Sequence, residues 1–293
     1  MIYELENQRL KVQVNSMGAE MWSIFDKHSQ TEHLWQGDPS VWGRRAPVLF
    51  PICGKLVNDS CVIDGKTYSI PMHGFARDYE HQVIAADKDS LSLRFTQSEE
   101  TLRRYPFRFS LDTRYRLEDN RLSCTFEVTN AGDGVLPFSI GYHAGFQCPF
   151  DSQRSIEDYS LVFEKKETAA ELLCDGFLTG GQRNYLHDQD IIPLHDRLFP
   201  NSFILTGLQS DYVGIVEKDT GREVRVFIKG FPYVTFWSTP NKVPFVCIEP
   251  WYGVPDPADT DGDFRKKPGI QKIAPGECFC CTQTIEIRDG AQK

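Results

Sequence analysis

Apolar and polar residues alternate along much of this chain with the two-residue period of a half-buried strand. The segment "LKVQVNSMGAEMWSIFD" alternates, breaks at a turn, and resumes as a second strand. The same period runs through "SLSLRFTQ", "FRFSLDTRYRLED" and "RLSCTFEVTN". Asn, Asp and Gly punctuate these runs, and "EDNRL" and "NAGDGVLPFSI" read as the turns between them. "DYVGIVEKDTGREVRVFIKG" predicts a hairpin folded about Asp-Thr-Gly. "YVTFWSTP" and "PFVCIEPW" are short apolar runs of the kind buried on both faces, and "CFCCTQTIEIRD" closes the chain as a further strand. Helical signals are few. "SEETLRRYPF" is one candidate, with Ser98 as its N-cap and carboxylates in the first turn. Many short strands with frequent turns predict an all-β protein, a large antiparallel β-sandwich formed as one domain over 1–293.

Composition narrows the function. A net charge of -9 argues against a general nucleic-acid binder, which would carry a basic stripe. No apolar run approaches the roughly 20 residues of a membrane span. The N-terminus alternates like a strand and lacks the regions of a signal peptide, so a cytoplasmic location is expected. The nine cysteines are scattered and odd in number, unlike a disulfide framework. They read as reduced thiols filling a sheet core. On the last strand, Cys278 and Cys280 share a face that Cys281 opposes. Aromatics at 12% leave stacking surfaces for a ligand.

Three segments depart from the plain strand pattern, and each sets an ionisable residue among apolar, Gly and Pro neighbours. "APVLFPICGKL" is followed by "SIPMHGFARDYE", where Gly74 after His73 allows close backbone approach and Arg77 lies four residues on. "FSIGYHAGFQCPF" places His143 between glycine-flanked aromatic residues. "FVCIEPWYGVPD" sets Glu249 in an apolar run before Trp251, where desolvation would raise its pKa toward that of a useful general base. A neutral imidazole and a carboxylate can act as an acid/base pair. Aromatic rings beside charged groups suit a sugar, which has apolar C–H faces and many hydroxyls. His73, His143 and Glu249 could instead form a two-His, one-carboxylate metal set, but no H-E-x-x-H spacing supports it and no metal is expected. No glycine motif for a nucleotide is present, and no cysteine has a nucleophile's sequence signature.

In their order and separations, "APVLFPICGKL", "MHGFARD", "FSIGYHAGF" and "VCIEPWYG" resemble the aldose 1-epimerase (galactose mutarotase) superfamily, and most closely its LacX-like bacterial branch. The resemblance extends from the first strands to the last. It implies a galactose mutarotase-like supersandwich. The activity implied is interconversion of the α and β anomers of an aldose through the open-chain aldehyde, without metal or organic cofactor. By similarity, Glu249 is the general base on the anomeric hydroxyl, His143 the general acid on the ring oxygen, and His73 a sugar-binding group. The family's substrate-contacting arginine falls on Lys55, which keeps the charge and loses the planar fork. Arg77 matches the LacX-like and hexose-6-phosphate branches. The family's sugar-binding aspartate has no direct counterpart in "LHDRLFPNSFIL", where Asn201 and Ser202 carry no carboxylate and Asp196 is the substitute on offer. Trp251 supplies an aromatic surface for the sugar. The expected partner is a small-molecule hexose, free or phosphorylated, bound by a monomer or a homodimer. Lys55, Arg44, Arg45 and Arg77 are the cations that could meet a phosphate. A non-catalytic carbohydrate-binding protein on the same scaffold is the competing reading. A hydrolase ranks lowest, because it needs two carboxylates and only Glu249 stands out.

Overall fold

The computed structural model describes residues 1–290, and strands make up most of its regular structure. Alternation becomes burial as the period predicts. Along the strand Arg121–Asn130, every second side chain from Leu122 to Asn130 is buried, and those between are half-buried. That strand sits inside a nine-stranded antiparallel sheet. Its neighbours are Phe109–Glu118 on one side and the last strand, Cys278–Arg288, on the other. The predicted hairpin pairs Tyr212–Glu217 with Glu223–Phe227. The predicted helix is a single turn, Glu99–Leu102, held by a reciprocal cap between Ser98 and Thr101.

A seven-stranded sheet carries the chemistry. Its strand Phe245–Tyr252 is buried at every position but the last, as its unbroken apolar run predicts. It pairs with Tyr233–Trp237 on one side and with Ile140–Gly141 and Ala144–Gln147 on the other. Tyr142, between those last two segments, stacks on Phe126 at 4.1 Å, and its hydroxyl donates to the carbonyl of Cys124 at 2.7 Å. One tyrosine therefore fastens the two sheets together beside His143. A four-stranded N-terminal sheet completes the layers, and one apolar core extends from Leu5 to Ile287. Six cysteines are buried in this interior, but Cys278 and Cys280 face outward and Cys174 is half-buried. The expectation that all the thiols fill the core is thus corrected for these three. The outer face of the last strand is a solvent face, so period-two alternation exposes both of its even-numbered cysteines.

A charge cluster ties the hairpin to its neighbour. Fully buried Glu217 accepts from Tyr159 and Arg222, both at 2.7 Å, and these bonds with Thr220 hold its pKa at about 2, below the ordinary 4.5. A depressed carboxylate stabilises the fold above its unfolded pKa and loses that contribution as pH falls toward its folded value. Wild-type protein should therefore melt above Glu217→Gln at pH 7. The gap in Tm should close between pH 4.5 and about 2 in parallel thermal scans.

Candidate active site

Two glycines explain the setting of His143. A Cβ at Gly141 would lie 2.5 Å from the Trp251 ring, and one at Gly145 would lie 2.8 Å from the Trp42 ring. The glycines let two tryptophans close in on either side of the histidine. Trp42 stacks on the imidazole with centroids 5.1 Å apart, and Trp237 meets its edge at 5.8 Å. Trp251 is fixed by its indole N–H, which donates to the carbonyl of Tyr142 at 3.1 Å.

Glu249 reaches the same point from the neighbouring strand. Its Oε2 lies 3.3 Å from His143 Nε2, a close approach in which that oxygen lacks an aligned hydrogen bond. Both groups are buried. Desolvation pushes the Glu249 carboxyl well above its ordinary range. Desolvation also drives His143 down to about 3, assisted by the positive fields of Arg77 and Arg44. Burial thus disfavours the charge on each partner, and the favoured arrangement is a neutral pair.

His73 stands at right angles to His143, with ring centroids 5.2 Å apart. The Gly54 N–H donates to its Nδ1 at 3.1 Å, so the neutral ring carries its proton on Nε2. Burial first, then His143 and the two arginines, keep its pKa well below the ordinary value. The backbone here is unusual. His73 and Gly74 have φ of 65° and 74°, and a Cβ at Gly74 would strike the carbonyl of Phe50. Only glycine fits that approach.

These groups surround a cavity of about 350 Å³. His73, Arg77, His143, Glu249 and Trp251 line it as the sequence predicts. An Arg77 Nη donates to the carbonyl of Met72 at 2.7 Å, while its Nε has no partner. Sequence reasoning missed Trp42, Trp237, Thr235 and Met72, which also line the cavity. Thr235 stands opposite Glu249 in the sheet register, and its buried hydroxyl has no partner. That register was the signal available for Thr235. Trp42 lies in a loop without periodicity.

Two predicted contacts lie outside the lining of this cavity. Lys55 borders an adjoining hollow rather than the cavity, with its ammonium 5.5 Å from the Phe177 ring. Asp196 is exposed, and its carboxylate accepts from the Val243 N–H at 3.0 Å, bracing a loop away from both hollows. Ser202, in the same segment, is the residue that reaches the cavity. Asp196→Ala should leave KM for any sugar unchanged and cost about 0.5–1.5 kcal/mol of stability in urea titration, the worth of one hydrogen bond. The four cations also fail to converge. Arg44 pairs with Asp78 at 2.6 Å and Arg45 lies over Trp22 at 4.0 Å, leaving Arg77 alone in the cavity wall.

Behind the His73 loop, a buried ion pair anchors the walls. Lys267 Nζ lies 2.9 Å from Asp256, whose other carboxylate oxygen accepts from the Val57 N–H at 3.1 Å. The Asp256 N–H donates to the carbonyl of Lys55 at 2.9 Å.

A family model for aldose 1-epimerase matches residues 1–266. The chain belongs to the aldose 1-epimerase family. It is 34% identical over 286 residues to the LacX protein of Lactococcus lactis subsp. lactis, covering 94% of this chain and 95% of that one. It superposes with a TM-score of 0.95 on a galactose mutarotase related enzyme from Lactobacillus acidophilus, at 34% identity, covering 100% of this chain and 99% of that one. A galactose mutarotase-like protein from Lactobacillus casei gives 0.92 at 30% identity, with coverage of 98% and 100%. These relatives bear out the supersandwich and the LacX-like branch. Membership in the aldose 1-epimerase family supports a mutarotase-type function of the isomerase class, acting on a sugar. No helix of the described residues is long and apolar enough to cross a membrane.

Proposed function

We propose that this aldose 1-epimerase family member interconverts the α and β anomers of a hexose by acid/base ring opening and closure. The observation that carries the reading is the buried His143–Glu249 pair, 3.3 Å apart at an aromatic-walled cavity. The two groups stand side by side, and the chemistry accommodates that. O1 and the ring oxygen are both bonded to C1, so two neighbouring groups can serve two neighbouring oxygens.

Glu249 takes the proton of the O1 hydroxyl, and the C1–O1 bond gains its second bonding pair. The electron pair of the C1–ring-oxygen bond leaves with that oxygen, which receives a proton from His143. The product is the open-chain aldehyde. Rotation about C1–C2 presents the other face, and both transfers reverse. The base must be ionised and the acid protonated, which burial opposes. Sugar hydroxyls, with the proton that His73 holds on Nε2, supply hydrogen bonds that restore the charged form of the pair. Trp42, Trp237 and Trp251 offer apolar surface to the sugar's C–H faces. No step requires a metal or organic cofactor.

Arg77 favours a second reading for the substrate. Arg77 lines the cavity, its buried Nε has no partner, and its field reaches both histidines. A hexose phosphate would meet that charge. The cysteines are unpaired, which suits a reducing compartment such as the cytoplasm.

The test follows freshly dissolved α-D-glucose, α-D-galactose and glucose 6-phosphate by polarimetry or exchange NMR. Equilibration should outpace the spontaneous rate with at least one of them, and His143→Asn should lower turnover about 10²-fold or more. Near-normal turnover in folded His143→Asn would remove the histidine from its role. No acceleration with any sugar would favour a binding protein.

A further inference from the structure

Cys247 precedes Glu249 by two residues on the strand Phe245–Tyr252, so its thiol emerges on the same side as the carboxylate. His143 arrives from the neighbouring segment, whose Gly145 stands opposite Cys247. One ligand atom from each of His143, Cys247 and Glu249 lies within 4.8 Å of the others, and all three side chains are buried. The thiol is silent in the anomerisation chemistry. The sequence pointed to His73 as the third member of any metal set, whereas the fold supplies Cys247.

We propose that His143, Cys247 and Glu249 form an inhibitory site for a thiophilic divalent cation, with Zn²⁺ as the representative ligand. The spacing suits it. Tetrahedral zinc with nitrogen and oxygen ligands at about 2.0–2.1 Å places those atoms about 3.3 Å apart. His143 Nε2 and Glu249 Oε2 are 3.3 Å apart already. Glu249 Oε2 is buried, lacks a hydrogen-bond partner and faces this point, so a ligand atom is waiting for an electrophile. Imidazole and thiolate select zinc over the hard, oxygen-seeking Mg²⁺ and Ca²⁺. Charge favours it too. The thiol and the carboxyl each release a proton on binding, and Zn²⁺ with one thiolate and one carboxylate is a neutral centre, which a buried site tolerates. With three protein ligands, the fourth position is left to water or a sugar hydroxyl.

Such a cation occupies the lone pairs that would move protons, so it blocks the reaction without distant change. The inhibition rests on the proposed mutarotase reading, whereas the binding does not. The experiment reads them separately. Exposed Cys278 and Cys280 are first replaced by serine to remove surface thiols. Co²⁺ added to this full-length protein should give a near-ultraviolet thiolate-to-cobalt charge-transfer band that saturates at one equivalent. Cys247→Ala, with Cys247→Ser as its shape-conserving partner, should abolish the band and raise the Zn²⁺ concentration for half-inhibition by at least about tenfold. Anomerisation without metal should be unchanged. The absence of a band in the parent, or its survival in both Cys247 variants, overturns the site. Zinc bound there without slowing anomerisation overturns the inhibitory role. A band lost with Cys247 in a protein that anomerises no sugar supports the metal site while overturning the mutarotase reading.

Discussion

Glu249→Gln should abolish accelerated anomerisation while leaving the protein folded. The amide keeps the shape of the carboxyl and removes its capacity to take the O1 proton. Loss of a general base of this kind costs about 10²–10⁴ in kcat/KM. Stability should hold or rise, because burial opposes ionisation of the native carboxyl, a cost that the uncharged glutamine does not carry. Polarimetry on the preferred sugar, with circular dichroism on the same sample, reads both. A folded glutamine variant with wild-type rates would take Glu249 out of the chemistry. Reduced rates accompanied by loss of near-ultraviolet dichroism would assign the glutamate to architecture instead.

The largest stability effect should come from Asp256→Ala. The Asp256–Lys267 pair is almost wholly enclosed, with side-chain exposures of 5% and 1%. Burial already lowers the Lys267 pKa, and Asp256 is the principal group opposing that shift. Removing the carboxylate leaves an ammonium without its partner and orphans the Val57 N–H. Breaking a buried pair from one side costs about 3–5 kcal/mol, whereas replacing both partners by apolar residues of similar volume can be nearly neutral. Urea titration should show a large fall in midpoint for Asp256→Ala. Much of it should return in the double variant Asp256→Leu/Lys267→Met. A single variant within 1 kcal/mol of wild type would mean that water reaches the ammonium.

Much of this was legible along the chain because burial has a period. Leu122, Cys124, Phe126 and Val128 alternate in sequence and point inward in the fold. Glu249 was legible for the opposite reason, as a charge set where periodicity allowed only apolar residues. His73 and His143 stood out by the glycines beside them. Three kinds of information were not written locally. Trp42 reaches His143 from a loop, and nothing near it in sequence announces that contact. Thr235 and Ser202 depend on strand order across the sheet, which separates neighbours in space by many residues of chain. Lys55 and Asp196 had suitable chemistry, but where their side chains extend is not written in the local sequence. One side chain extends toward Phe177 and the other braces a loop. Residue type states what a group can do, and backbone geometry decides where it does it.

The position of the final strand has a consequence for synthesis. Cys278–Arg288 lies in the interior of the nine-stranded sheet, between Glu223–Phe227 and Arg121–Asn130. Until the ribosome has released it, the nascent chain holds two half-sheets whose facing edges are both unsatisfied. Unpaired edges invite pairing with other chains, and contacts between distant segments close slowly. A chain stopped before Cys278 would therefore keep the His143–Glu249 segments yet present two open edges to its surroundings. Premature termination near the C-terminus should yield aggregates in place of a smaller folded protein.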